Sequence, residues 1–191
     1  MKITAFEFLS VDGFFEGLNH DISWNIHGPE EEQYSIQILE KDNILLFGRR
    51  TYTLMQDYWT SPDAIQNDPR IIRGMNNAEK VVFSRSLKQV DWIGTTLVHE
   101  NPADWAKKMK QGGGKDLTIL GSGSILSQLT DHGLIDEYQF QINPIALGEG
   151  TPIFRGIQKR VKLELIQSRV FKSGIVLVCY KPRTGMPDSK G

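Results

Sequence analysis

Apolar residues occur along this chain in two alternating patterns. Short continuous runs bounded by glycine or polar residues are typical of strands that are buried on both faces of a parallel sheet. These runs predict strands at residues 3–9, 43–47, 80–84, 95–99 and 117–120. The stretches between them carry apolar residues at helical spacing, such as Tyr52, Met55 and Trp59. The alternation predicts an α/β domain with a mainly parallel sheet and helices on both of its faces.

Proline, glycine and acidic residues indicate where the helices begin and end. Pro29 suits the first position of a helix, and Glu30, Glu31 and Glu32 then face the positive end of its dipole. We interpret these glutamates as solvated; the alternative is that Glu30 or Glu31 turns inward. The predicted helices cover residues 29–41, about 50–59, 102–110 and the segment after Ser124 up to Gly133. The polar, proline-containing stretch 60–77 is interpreted as a surface excursion.

The last third of the chain has a different pattern. Apolar and polar residues alternate over residues 137–143, which predicts a strand with one polar face at the edge of the sheet. Segments 161–171 and 175–180 are separated by a short glycine-bearing loop and predict an antiparallel hairpin. We therefore expect one domain over residues 1–182 and a polar tail without function over residues 183–191.

The composition limits the classes of partner. Twenty-two Lys and Arg residues against 23 Asp and Glu give a net charge of −1, which argues against a nucleic-acid module. The single cysteine, Cys179, lies in an apolar run and is interpreted as a structural residue. Four scattered histidines have no metal-ligand spacing, so no metal site is expected. Without a signal peptide or an apolar run of about 18 residues, we expect a soluble, cytoplasmic protein that does not enter a membrane.

Two strand-to-helix junctions carry candidate chemistry, Gly48–Thr51 and Gly121–Ser124. Each places a glycine and hydroxyl groups where the unpaired N–H groups of a new helix point outward, which favours phosphate binding. The alternative is that these are ordinary turn and cap residues. Because both junctions follow strands of a parallel sheet, they would meet at one rim, where a dinucleotide pyrophosphate can bridge two helix starts.

A third strand end adds a hydroxyl and a cation to this rim. Ser84 and Arg85 follow a predicted strand, and this pair suits a phosphomonoester such as the 2′-phosphate of NADP. A solvated surface arginine is the alternative. The second glycine junction is not a Rossmann fingerprint, because Leu126 stands at the position of the third glycine.

Together these motifs resemble the dihydrofolate reductase superfamily. The resemblance rests on three segments at the predicted element boundaries: Gly48-Arg49-x-Thr51, Val82-Phe83-Ser84-Arg85 and Gly121-Ser122-Gly123-Ser124. The opening segment 9–13 and the late segment 143–154 look more like the branch that contains the reductase domain of riboflavin biosynthesis. The resemblance covers about residues 1–182. It implies a three-layer, dihydrofolate-reductase-like fold with a mostly parallel sheet and a C-terminal antiparallel hairpin.

The resemblance also implies a cofactor and its binding residues. NADPH would lie across the carboxyl ends of the strands, with Ser84 and Arg85 on the adenosine 2′-phosphate. The pyrophosphate region would comprise Gly48, Arg49, Thr51, Gly121, Ser122, Gly123 and Ser124. Asp12 would lie beside the nicotinamide as a catalytic polar group, and its alternative is a turn-stabilising Asx contact. The pair Trp24-Asn25 resembles the loop that closes over the nicotinamide.

We therefore expect an NADPH-dependent reductase that transfers hydride to a C=N or C=O bond of a small heterocyclic substrate, similar to the riboflavin-pathway pyrimidine reductase. That reductase proper is less favoured, because neither a fused zinc deaminase domain nor a basic cluster for a ribose phosphate is evident. Dihydrofolate reduction is less favoured because three glutamates follow Pro29 instead of one isolated acid. A nucleotide-binding module of the same fold without turnover is the non-enzyme alternative. A homodimer through an edge of the sheet is a further expectation.

Overall fold

Ten strands form a large central sheet and a small ribbon. The structure, a computed structural model, describes residues 1–183. The strands are β1 (Ile3–Ser10), β2 (Phe14–Glu16), β3 (Asn43–Gly48), β4 (Glu79–Phe83), β5 (Thr95–Val98), β6 (Asp116–Leu120), β7 (Glu137–Asn143), β8 (Thr151–Pro152), β9 (Leu163–Val170) and β10 (Val176–Pro182). Eight of them form one sheet in the order β5-β4-β3-β6-β1-β7-β10-β9, and β2 pairs with β8.

The sheet is parallel except at its C-terminal end. All neighbouring strands from β5 to β7 pair in parallel, whereas β10 runs antiparallel to both β7 and β9. The predicted α/β class, with a mostly parallel sheet and a C-terminal antiparallel hairpin, is confirmed. The predicted tail lies outside the described residues except for Arg183.

The prediction that residues 137–143 form a sheet edge is wrong. β7 lies inside the sheet between β1 and β10. Its polar side chains are buried: Glu137, Gln139, Gln141 and Asn143. Three of them are paired with polar groups inside the protein: Gln139 accepts the Tyr34 hydroxyl at 3.0 Å and donates to Glu137, and Asn143 accepts the N–H of Ile26. The C-terminal edge of the sheet is β9, where Leu165 and Val170 are exposed. The homodimer stays a prediction.

Five α-helices cover the two faces of the sheet. They are α1 (Pro29–Leu39), α2 (Arg49–Trp59), α3 (Pro69–Asn77), α4 (Pro102–Gly112) and α5 (Gly123–Asp131). Helices α1, α2 and α3 share one apolar core with residues such as Phe47 and Val82 of the sheet. Helices α4 and α5 share the other core with residues such as Ile3 and Ile119. Among residues 1–183, no helix is long and apolar enough to cross a membrane.

Helix α3 corrects the interpretation of residues 60–77 as a surface excursion. The Asp68 side chain accepts the N–H of Arg70 and caps this helix, and Pro69 occupies its first turn. Ile71 and Met75 are buried against the sheet core. These two residues are four positions apart, so they lie on one face of the helix. The segment is polar in composition, but it contributes to the packed layer.

The chain changes direction across the sheet next to β6. From β1 it passes through α1 to β3 on one side, whereas from β6 it passes through α5 to β7 on the other side. Such a reversal opens a crevice at the carboxyl ends of the strands, which is where open α/β folds bind ligands. The glycine junctions after β3 and β6 border this crevice because those strands are neighbours.

Candidate functional site

The two predicted glycine junctions are joined by hydrogen bonds. The N–H of Gly48, at the end of β3, donates to Ser122 Oγ at 2.9 Å. The Thr51 hydroxyl, in the first turn of α2, donates to the carbonyl oxygen of Gly121 at 2.7 Å. Ser124 follows in the first turn of α5 and is exposed. The two junctions are therefore in direct contact. We call this pair of segments, Gly48–Thr51 and Gly121–Ser124, the cradle.

The helices that begin at the cradle are open at their N-termini. The cap residues Gly48 of α2 and Ser122 of α5 make no side-chain cap hydrogen bond. By contrast, α3 is capped by the Asp68 side chain and α4 by the Asn101 side chain. Because the first N–H groups of a helix need partners, an anion can satisfy those of α2 and α5.

Backbone conformation explains one glycine of the second junction, and close packing explains the other. Gly121 has φ +66°, a left-handed conformation that other residues rarely adopt. At Gly123, a Cβ atom would lie 2.6 Å from Cε1 of Phe15. Phe15 belongs to β2, so the β2–β8 ribbon places an aromatic ring against the start of α5. This ribbon, which the sequence patterns did not indicate, forms one wall of the cradle.

A buried glutamate, which the sequence patterns did not single out, lies beneath the second junction. Glu7 is 1% exposed and accepts the N–H of Ser122 at 3.1 Å. Burial raises the pKa of Glu7 to about 8, against the smaller lowering effect of the Ser122 hydrogen bond. The carboxyl is therefore largely protonated at neutral pH. The sequence does contain a signal for this residue. Position 7 is an acid, although it lies on the same face of β1 as the core residues Ala5 and Leu9.

Two consecutive arginines begin α2 and differ in their contacts. Arg50 Nη1 lies 2.9 Å from His20 Nδ1 and 3.5 Å from Oε1 of the buried Glu16. Arg49 is exposed, and its guanidinium has no hydrogen bond or ion pair with another of residues 1–183. Arg49 is therefore open to an anion at this junction, whereas Arg50 is held by its neighbours.

Ser84 and Arg85 follow β4 at the same rim of the sheet. The register of β3 and β4 places Phe83 beside Gly48. The Ser84 hydroxyl accepts the N–H of Leu87 at 3.0 Å and so closes the turn after the strand. Arg85 is exposed, and in the described part of the chain its guanidinium has no polar partner. The predicted 2′-phosphate site thus has an exposed guanidinium and a hydroxyl that already accepts a backbone hydrogen bond.

Asp12 lies in the turn after β1 and connects two loops. Its carboxylate accepts the N–H of Gly148 at 2.8 Å and the N–H of Leu147 at 3.1 Å. Hydrogen bonds from Ser10 and then from Gly148 lower the pKa of Asp12 to about 2. The carboxylate is therefore ionised at neutral pH and stabilises the loop at 147–148. The role of Asp12 beside a nicotinamide stays a prediction.

The acidic first turn of α1 is not fully solvated. Glu31 is 2% exposed, and its carboxylate accepts the hydroxyl of Ser173. Glu30 accepts Nη2 of Arg169 at 2.9 Å and the N–H of Lys172 at 2.8 Å, and these backbone and side-chain hydrogen bonds lower its pKa. The interpretation of these glutamates as solvated is wrong for Glu31, because the β9–β10 hairpin loop packs against the start of α1.

The chain is similar over almost its whole length to one known protein family. The model of the RibD C-terminal domain matches residues 1–177. The chain belongs to the RibD C-terminal domain family. One relative of this RibD-type chain is the uncharacterized protein YyaP of Bacillus subtilis, which is 28% identical over 172 residues and covers 90% of each chain.

Solved structures support the same fold for this RibD-type domain. A candidate riboflavin biosynthesis protein from Shewanella sp. PV-4 superposes with a TM-score of 0.78 at 20% identity, over 96% of this chain and 99% of that one. A Thermotoga maritima diaminohydroxyphosphoribosylaminopyrimidine deaminase and 5-amino-6-(5-phosphoribosylamino)uracil reductase gives a TM-score of 0.68 at 14% identity, over 95% of this chain and 56% of that one. The dihydrofolate-reductase-like fold expected from the sequence, in its riboflavin-reductase branch, is confirmed.

Proposed function

We propose that this protein is an NADPH-dependent reductase that transfers hydride to a small heterocyclic substrate, similar to the pyrimidine reductase of riboflavin biosynthesis. The observation that carries the proposal is the cradle, where the open N-termini of α2 and α5 are joined across neighbouring strands. The family membership and the reductase named among the structural neighbours support the reaction class.

The residues of the cradle fit the phosphates of a dinucleotide. Two open helix starts provide N–H groups for a pyrophosphate, and the guanidinium of Arg49, which has no polar partner among residues 1–183, adds a positive charge. Arg85, next to the end of β4, would hold a phosphate group farther along the same rim. Two separate cations therefore suit the two separate phosphate groups of NADPH, its pyrophosphate and its 2′-phosphate.

The chain's own residues would orient the reactants and exclude water. NADPH, when bound, would supply the hydride, and solvent would supply the proton that completes reduction of the C=N or C=O bond. The ring of Phe15 packs against Gly123 at the start of α5 and would exclude water from that side of a bound ligand. Asp12 is ionised at neutral pH, so it can accept hydrogen bonds from a substrate or a water but cannot donate a proton. Such orientation is the main demand that hydride transfer makes on a protein.

NADPH binding and NADPH consumption together test this proposal. Fluorescence titration of the purified protein should give saturable NADPH binding that weakens as salt is added, because the cradle recognises phosphates. NADPH oxidation should then be measured with a panel of small heterocycles that carry C=N or C=O bonds. Saturable binding with no oxidation across the panel would favour the binding module without turnover. Failure to bind either NADPH or NADH would remove the proposal.

A further inference from the structure

The carboxamide of Gln141 is buried without polar partners. The residue is 0% exposed, and neither Nε2 nor Oε1 has a hydrogen-bond partner. Among residues 1–183, the other buried side-chain oxygen or nitrogen in this condition is Oγ1 of Thr95, which lies at the start of β5. Burying a donor and an acceptor without partners is unfavourable, so the position of Gln141 requires an explanation.

The other polar residues on the same face of β7 are paired. Gln139 accepts the Tyr34 hydroxyl at 3.0 Å and donates from Nε2 to Glu137. Asn143 accepts the N–H of Ile26 through Oδ1 at 2.9 Å. Gln141 lies between these two satisfied residues on the strand. The polar side chains on either side of Gln141 along β7 therefore have hydrogen-bond partners, whereas the carboxamide of Gln141 has none.

The residues directly beside Gln141 on the neighbouring strands are apolar. In the sheet register, Gln141 lies beside Phe8 of β1 and Leu177 of β10. The ring of Phe8 contacts the ring of His27 at a centroid distance of 5.5 Å. Glu31, the buried acid of α1, already accepts the hydroxyl of Ser173. The surroundings of Gln141 are thus mainly apolar and aromatic, with the nearest polar residues of its own strand already engaged.

Gln141 also lies at the ligand-binding rim. It is two residues from the carboxyl end of β7, and β1 alone separates β7 from β6, which leads into the cradle. The segment over the end of β7 is irregular between residues 21 and 28. It is held to Asn143 by two hydrogen bonds, from the N–H of Ile26 and to Oδ1 of Asn25. These bonds place residues 25 and 26 next to the end of β7, two residues beyond Gln141.

We infer that Gln141 is a specificity-determining residue that binds the lactam edge of a flat, uncharged heterocycle, which enters beneath residues 25–27. A carboxamide presents a donor and an acceptor side by side, so its oxygen accepts the ring N–H while its Nε2 donates to the adjacent ring C=O. The apolar neighbours Phe8 and Leu177 disfavour a charged group at this point. The inference rests on the proposed function only in taking this heterocycle as the substrate.

The test uses uracil as the lactam and N,N′-dimethyluracil as its blocked analogue, with and without NADPH. In isotope-labelled protein, uracil should shift the side-chain amide resonances of Gln141, whereas the methylated analogue should not. Gln141→Leu should weaken uracil binding at least tenfold. Thr95→Val is the matched control, because it also removes an unpaired buried polar atom but lies away from the rim. Both variants should raise the thermal midpoint, and only Gln141→Leu should lose uracil.

Equal uracil affinity in the native chain and Gln141→Leu would overturn the inference, and so would absence of uracil binding or of any shift at the Gln141 amide. A buried water that pairs the carboxamide would produce the first of these results, because Gln141 would then have no role in binding uracil and Gln141→Leu would keep its ligand affinity. The resonance shift is measured on the native chain, so it decides the matter even if Gln141→Leu fails to fold. If NADPH does not bind while uracil binding still depends on Gln141, the proposed function fails and the lactam site stands.

Discussion

The buried carboxyl of Glu7 accepts the N–H of Ser122 at 3.1 Å, directly beneath the start of α5. Ser122 in turn holds the start of α2, because its hydroxyl accepts the N–H of Gly48 at 2.9 Å. A single residue therefore connects the buried acid to both halves of the cradle. The charge of Glu7 should consequently affect both the stability of the fold and the geometry of the cradle.

The first prediction concerns Glu7→Gln, which keeps an acceptor for Ser122 and removes the titratable group. The pKa of Glu7 is raised from 4.5 to about 8, so its contribution to stability is full below about pH 4.5 and is lost as pH rises through about 8. The variant should lose this pH dependence and be more stable than the native chain at pH 8, by up to roughly 4 kcal/mol.

Urea unfolding of both chains at pH 5 and pH 8 measures this difference. The exposed Glu149 provides a control, since Glu149→Gln should leave the pH dependence of the native chain unchanged. If the native chain and Glu7→Gln lose the same stability between the two pH values, Glu7 is not the group responsible.

The second prediction concerns the contact between Gly123 and Phe15. Gly123→Ala places a methyl group 2.6 Å from the Phe15 ring, so either the ring or the start of α5 must shift. The variant should melt at a lower temperature and bind NADPH more weakly. Adding Phe15→Leu should recover part of the stability, because the shorter side chain leaves room. Thermal midpoints of the two single variants and the double variant form the cycle, and strictly additive effects would contradict a direct clash.

The third prediction concerns Asp12→Asn. The amide oxygen can still accept the N–H groups of Leu147 and Gly148, so the loop contacts should largely remain, and the negative charge is lost. We expect lower turnover with nearly unchanged NADPH affinity, if Asp12 orients a substrate or a water. Steady-state rates on a substrate found in the NADPH oxidation panel, together with NADPH titration, measure both. Unchanged turnover would leave Asp12 with its loop-stabilising role alone.

The pH dependence of the Asp12 loop contact has a definite sign. Because the pKa of Asp12 is lowered from 3.8 to about 2, the contact contributes stability above pH 3.8 that is lost as pH falls through about 2. The resonances of Leu147 and Gly148 should therefore shift in acid in the native chain but not in Asp12→Asn. A shift at higher pH in both chains would indicate another titrating group.

Local patterns were sufficient to predict the parallel core of the fold. The continuous apolar run before Gly48 and the run before Gly121 each become a buried strand followed by a helix. Glycine at a strand end and hydroxyl residues at a helix start are local signals, so both halves of the cradle could be placed. Their direct hydrogen bonds depend on β3 and β6 being neighbours, which the alternation of elements supports but does not determine.

Features that depend on tertiary partners were not predicted. The polar alternation over 137–143 looks like an exposed strand face, and only the chain packed over it reveals that Gln139 and Gln141 are buried. Glu31 is buried because a hairpin more than 130 residues later supplies Ser173. The β2–β8 ribbon has strands of three and two residues, too short for a periodic pattern to indicate. In each case the deciding contact is long-range and leaves no local signal.

The most direct test of the central claim is the cofactor selectivity of the native chain and of Arg85→Ala. NADPH and NADH share the pyrophosphate, so the cradle alone cannot discriminate between them. A charge-assisted contact between an exposed guanidinium and the 2′-phosphate is worth roughly 1.5–3 kcal/mol, or about 10- to 150-fold in affinity. Arg85→Ala should lose that factor for NADPH and leave NADH almost unchanged, with a smaller effect of salt on NADPH binding.

Two further arginine variants show whether an effect on cofactor binding is specific to Arg85. Arg49→Ala should weaken both cofactors similarly, because Arg49 lies at the cradle that both share. Arg73→Ala removes an exposed arginine that lies near Asn43 at the opposite end of β3, so it should change neither affinity. We expect tight NADPH binding, weak NADH binding, and loss of the difference in Arg85→Ala alone. Equal loss of both cofactors in Arg85→Ala, or no binding of either cofactor to the native chain, would contradict this expectation.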